Sequence, residues 1–84
     1  MEIAKLRERI ERTTSILRAS GFNSEAEELG QLFAVIEQRK PDAENAASEI
    51  RKRCHIKWFG DLNVQGVTDN EWINLLDEVR HLAV

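Results

Sequence analysis

The sequence predicts an all-α fold, a compact bundle of about four helices at about 2–19, 24–39, 42–53 and 69–83, with an ordered irregular loop over 55–67. Three observations predict it. Apolar residues recur at spacings of three and four through most of the chain, the repeat of one face of an α-helix. Two pairs, Ser24–Glu27 and Thr68–Glu71, have the spacing of a capping box. Gly21 and Pro41 fall where the apolar stripes stop.

In the first helix Ile3, Leu6, Ile10, Thr13 and Leu17 lie on one stripe and charged residues fill the other faces. Its stop reads as a Schellman motif. Gly21 takes the left-handed position, and Phe22 returns to touch Leu17. The second helix is expected to start at once, with Ser24 capping and Glu27 answering it, and with Leu29, Leu32, Phe33 and Ile36 buried. It should end near Arg39, because Pro41 disfavours the helical conformation at Lys40.

Pro41 suits the first position of a third helix, where a missing N–H leaves nothing unsatisfied. Ala43, Ala47, Ile50 and Cys54 share one face of it, a narrow stripe of small residues that predicts close approach to a neighbour. Arg51, Lys52 and Arg53 sit where the helix dipole favours cations. From His55 to Val67 the helical period is lost and the turn residues Gly60, Asp61, Asn63 and Gly66 appear. This stretch reads as a loop, with room for a short extended piece, pinned by Phe59, Leu62, Val64 and Val67. The last helix has the clearest start. Thr68 and Glu71 cap it, Val67 and Trp72 occupy the staple positions, and Trp72, Leu75, Leu76, Val79 and Leu82 line one face.

The 84 residues suit one domain, 1–84, with a modest core and little room for a deep cleft. Apolar residues at 42% are too many for intrinsic disorder, yet no apolar run approaches the roughly 18 residues of a membrane span. The first residues alternate charges instead of forming the apolar core of a signal peptide, and the lone Cys54 cannot form an internal disulfide. A cytoplasmic location without membrane contact is the expectation. The net charge of −3 conceals bands along the chain: net +2 over 1–20, −5 over 21–50, +4 over 51–60 and −4 over 61–84.

Little in the chain points to chemistry. Cys54 and His55, with Asp61 as orienter, invite a thiol mechanism, but adjacent residues on a helix point apart and Cys54 also fits a small buried position. One cysteine and two histidines without repeated spacing do not make a metal site. No glycine-rich phosphate loop or catalytic serine motif occurs. A non-enzymatic protein with no metal and no cofactor is therefore expected.

Binding has more candidates. The run Arg51–Trp58 places four basic groups beside an aromatic ring, as a nucleic-acid backbone would require, against a pI of about 5.4 for the whole chain. The acidic residues of the second, third and fourth helices could steer a basic protein partner or simply solubilise the surface. The adjacent Trp58 and Phe59 cannot both face one core from a regular element. Either both cap the open end of the bundle or one is offered to a partner. The first helix, whose stripe approximates a heptad, could instead drive self-association.

The stretch Cys54-His55-Ile56-Lys57-Trp58-Phe59-Gly60-Asp61-Leu62-Asn63, followed by a helix bearing Trp72 and Leu75-Leu76, resembles a motif in small bacterial proteins of the immunity type. The resemblance covers roughly the last 35 residues. It implies a chain that neutralises a cognate toxin by covering its functional surface, and it carries no catalytic residue over. The expected partner is accordingly a protein, a cognate toxin domain, and not a nucleic acid. The expected contact residues are Glu25, Glu28, Trp58, Asp61, Asn63, Asp69, Asp77 and Glu78. The alternatives are a nucleic-acid-binding regulator using 51–57 and a helical self-association module.

Overall fold

Four helices form in the computed structural model, which describes residues 2–84: α1 (Ile3–Ala19), α2 (Asn23–Glu37), α3 (Ala43–Arg53) and α4 (Asp69–Leu82). A 3-10 turn, Phe59–Asp61, lies in the connection between α3 and α4, and no strand occurs among the described residues. The connection thus contains a helical turn, and Leu62 just after it has extended backbone, with φ −74° and ψ 136°. The helices pack in a ring, α1 on α2, α2 on α3, α3 on α4 and α4 on α1.

The stripes read from the sequence become the core. Leu6, Ile10 and Leu17 of α1 meet Leu29, Phe33 and Ile36 of α2, Ile50 and Cys54 from α3 and its end, and Trp72, Leu75, Leu76 and Val79 of α4. Two threonines of α1 are buried as well. Each hydroxyl donates to a backbone carbonyl one turn back, Thr13 to Arg9 at 2.7 Å and Thr14 to Glu11 at 3.0 Å, so neither is left unsatisfied. In α2 the fourth fully buried position is Ala26, while Leu32 is half-buried and packs on the edge of the core. In α3 the buried face is Ala46, Ala47 and Ile50, with Ala43 at its margin. Phe59 joins the core from the connection.

Ion pairs link each of three neighbouring helix pairs. Arg7 holds Glu37 at 2.6 Å between α1 and α2, Arg9 holds Glu78 at 2.6 Å between α1 and α4, and Arg53 holds Glu28 at 3.1 Å between α3 and α2. Each has a solvent-exposed carboxylate that water and salt screen, so they set register more than stability.

The helix ends show where local chemistry decides. The α1 stop is the expected Schellman motif. Gly21 has φ +88°, its N–H donates to the Arg18 carbonyl, and the Phe22 N–H donates to the Leu17 carbonyl at 2.8 Å. The joint is so short that the N-cap of α2 falls two residues before the expected Ser24. Phe22 is the N-cap residue, its carbonyl accepts the Ala26 N–H, and Ser24 lies inside the first turn. The capping box expected from Ser24 and Glu27 consequently does not form.

A second Schellman motif closes α2, without a glycine. The Lys40 N–H donates to Val35 and the Arg39 N–H to Ile36, with Arg39 at φ +54°. Pro41 also differs from expectation, standing before α3 instead of within it. The Ala43 N–H donates to the Lys40 carbonyl, so Pro41 occupies the second position of a turn, a place its fixed φ favours. Asp42 then serves as N-cap without a side-chain bond. At α4 the expected capping box is complete. Thr68 Oγ1 accepts the Glu71 N–H at 3.1 Å, and Glu71 Oε1 accepts the Thr68 N–H at 2.9 Å.

Candidate functional site

The connection from His55 to Val64 is ordered by its own backbone. His55 carbonyl accepts the N–H groups of Trp58 and Gly60, the Trp58 carbonyl accepts Asp61, and the Phe59 carbonyl accepts Leu62. His55 Nδ1 accepts the Lys57 N–H at 3.1 Å, a further bond within the turn. Further on, the Gln65 N–H donates to Ser20 Oγ at 2.8 Å and ties the connection to the end of α1.

Within this frame the two adjacent aromatics separate. Phe59 is 1% exposed and Trp58 is 49% exposed. Phe59 is held because its carbonyl also accepts Trp72 Nε1–H at 2.9 Å, deep in the core. A turn with Phe59 locked inward sends its predecessor outward. Ile56 is exposed as well, at 52%, and rests over Gly60. A Cβ on Gly60 would stand 3.2 Å from both the Ile56 and the Ile73 side chains, so the close fit there requires glycine or a shift of its neighbours.

Trp58 is not loose. The Arg53 guanidinium lies 5.2 Å from the indole centroid, and Arg53 is itself held by Glu28 at 3.1 Å and Glu49 at 2.8 Å. Beside the ring, Lys52, His55, Lys57 and Trp58 line a shallow cleft of about 310 Å³. A second cleft of about 430 Å³ opens on the same connection with the opposite sign of charge, lined by Ile56, Asp61, Asn63, Asp69 and Ile73 among others.

The expected contact residues are therefore divided. Asp61, Asn63 and Asp69 are exposed and line one cleft, and Trp58 stands exposed on the same connection. Glu25 lies apart in the first turn of α2 and is half-buried. Three acids are engaged within the chain: Glu28 with Arg53, Glu78 with Arg9, and Asp77 beside Arg80 at 3.7 Å and His81 at 3.6 Å. Sequence reasoning missed Ile56, although the loss of the helical period at His55 leaves it no buried stripe to join. It also missed the pairing of Arg53 with Trp58, which rests on a contact between a helix end and a turn.

The two arginines of the basic run are engaged internally, and its lysine side chains are not hydrogen-bonded among the described residues. Arg51 donates to the Ala83 carbonyl, Lys52 stands 3.8 Å from Glu49, and Arg53 is bound as described. Lys57 makes no ion pair among the described residues. The α1 stripe proposed for self-association is spent too, since Leu6, Ile10 and Leu17 are in the core.

Cys54 is buried at the end of α3, whereas His55 is exposed. Burial pushes the Cys54 thiol up to about 12, against a smaller opposing effect of the Arg80 charge. A thiol held so far above neutral pH stays protonated and is not an activated nucleophile. Among the described residues no three His, Cys, Asp or Glu side chains gather as a metal-binding group. Among the described residues no helix is long and apolar enough to cross a membrane.

The chain matches no protein-family model, no curated protein and no solved structure.

Proposed function

We propose that this chain is a non-enzymatic protein-binding inhibitor that docks through the connection between α3 and α4, with Trp58 and Ile56 as its anchors. The observation that carries the reading is the pair itself. Two large apolar side chains stand half exposed on a connection whose backbone bonds and buried Phe59 hold it in one shape. Tryptophan on a preorganised surface is the kind of side chain that dominates binding energy at interfaces. On the resemblance of the 54–63 motif to immunity-type proteins, the partner is a cognate toxin domain in the bacterial cytoplasm, neutralised by occlusion.

The acidic helical groups act in long-range steering in this reading. Glu28, Asp77 and Glu78 are already occupied within the chain, which leaves them less to offer at a contact. The nucleic-acid alternative is weakened by the same pairing. With Arg51 and Arg53 engaged, about two lysines remain for phosphates beside Trp58, and affinity for a nucleic-acid backbone grows with the number of phosphates neutralised.

The test is affinity capture from the native cell with the wild-type chain, Trp58→Ala, and a control altered at Glu44 on the exposed side of α3. The expected outcome is a protein retained by the wild type and the control and lost with Trp58→Ala, whose toxicity on expression is relieved by co-expressing this chain. Equal capture by all three would sink the reading.

A further inference from the structure

We infer that the cleft beside Trp58 receives an acidic segment of the partner, an apolar residue flanked by carboxylates, and that Arg53 is the residue that positions Trp58 for it. The inference rests on the docking reading above and names the chemistry of what docks.

Charge complementarity carries it. Lys52, His55 and Lys57 line the cleft together with Trp58, and none of the described acids lines it. Of the two cations, Lys57 has no ionic partner among the described residues, and Lys52 has only a distant one in Glu49 at 3.8 Å. The chain as a whole is acidic, so this face is a local exception to the net charge of −3. Charges more than about 10 Å away are screened at ordinary salt, and the near lysines decide what the cleft attracts. The opposite sign at the neighbouring cleft, from Asp61 and Asp69, repels a carboxylate that strays there. The connection thus offers an apolar anchor with an attractive side and a repulsive side, which sets direction as well as affinity.

Arg53 supplies the preorganisation. Its stem is largely covered, its guanidinium lies against one face of the indole, and Glu28 and Glu49 fix it from two helices. One face of Trp58 is therefore occupied by a cation that cannot easily leave, and the ring presents the rest of its surface to a ligand. Glu28 and Glu49 offset the charge of Arg53, so the attraction for an acidic segment falls to Lys52 and Lys57. A base stacking on Trp58 would be drawn by the same charge, but it would require more free phosphate contacts than Lys52 and Lys57 provide.

The experiment is selection of a displayed random peptide library against the full chain, with Trp58→Ala for counter-selection and a thymidine oligonucleotide as a separate probe. The expected result is enrichment of peptides carrying an aromatic or large aliphatic residue with Asp or Glu close beside it. The doubly reversed variant Lys52→Glu/Lys57→Glu should bind such a peptide at least about tenfold more weakly, with a reduced dependence on salt. Arg53→Gln should keep the peptide preference but raise acrylamide quenching of the exposed tryptophan in the free protein, which a residue acting by charge alone would not do. Enrichment of basic or uncharged peptides, no enrichment over Trp58→Ala, or tighter binding of the oligonucleotide would overturn the inference. Failure here with cellular capture still dependent on Trp58 removes the acidic partner and leaves the docking reading standing. Loss of both removes the surface.

Discussion

Trp58 in the connection and Trp72 in the helix that follows it are put to opposite uses. Trp72 is 2% exposed, lies in the first turn of α4 and gives its Nε1–H to a buried carbonyl. Trp58 is half exposed, and its main polar company is a guanidinium on one face. The residue that joins them is Phe59, which accepts the Trp72 proton through its carbonyl and turns its own ring into the core. Burying one tryptophan therefore fixes the turn that exposes the other. Stability and binding are placed on two aromatic side chains linked by one backbone group, and each should be alterable without the other.

The sharpest way to break that division is at Trp72. Replacement by alanine should cost about 3–5 kcal/mol, a large share of what a small domain possesses. Urea denaturation should show a greatly lowered midpoint or no cooperative transition. Trp72→Phe should be far milder, because the Phe59 carbonyl still accepts the Leu62 N–H at 3.1 Å when the indole is gone. If Trp72→Phe were as damaging as Trp72→Ala, the hydrogen bond and not the packing would be holding the turn.

The start of α4 comes next in size. Thr68→Ala removes the acceptor for the Glu71 N–H and should cost about 1 kcal/mol in the same measurement. The other half of the box has a pH signature. The backbone and side chain of Thr68 hold the Glu71 carboxyl below its ordinary range. A carboxylate with a depressed pKa stabilises the fold fully above its unfolded value, about 4.3, and that contribution is lost as pH falls through the lower folded value. The stability difference between the wild type and Glu71→Gln should therefore shrink as the pH is lowered from neutrality past that point. A difference that stays constant would mean that Glu71 acts through shape alone.

These two sites also show what the sequence makes legible. The Thr68–Glu71 box is chemistry between residues three apart, and nothing distant competes with it. Ser24–Glu27 has the same spacing, but the Gly21 turn hands the chain to α2 at Phe22 and leaves Ser24 inside the helix. A local motif fails there because the preceding local motif takes its place. The helical stripes are legible because burial repeats along each element. The site is less so, since the separation of Trp58 from Phe59 depends on Trp72 reaching a carbonyl thirteen residues back. The acids singled out as contacts illustrate the same limit. Glu28 and Glu78 read as free charges in sequence and find arginines on other helices in space.

A comparable effect of opposite sign is expected at the end of α2. Arg39 closes the helix in the left-handed region, where a side chain costs roughly 1–2 kcal/mol that glycine does not incur. Arg39→Gly should raise stability by about 0.5–1 kcal/mol after allowing for the greater freedom of the unfolded chain. Thermal denaturation of the variant is sufficient to check it. A loss of stability would show that the Arg39 side chain contributes something its exposed position does not reveal.

The smallest stability effect, and the one that isolates the exposed tryptophan, is expected at Trp58. Alanine there removes a stack on Arg53, yet Glu28 and Glu49 still hold that guanidinium and Phe59 still holds the turn. The cost should be within about 0.5–1 kcal/mol, the range of an exposed cation–π contact. Emission should lose its component accessible to acrylamide and keep the protected one from Trp72. Partner affinity should meanwhile fall by a factor of at least about thirty, the scale of an interface hot spot of 2 kcal/mol. A variant that unfolds along with its loss of binding would show that Trp58 belongs to the core's support. A variant that keeps both stability and binding would leave the connection's exposed ring without a use.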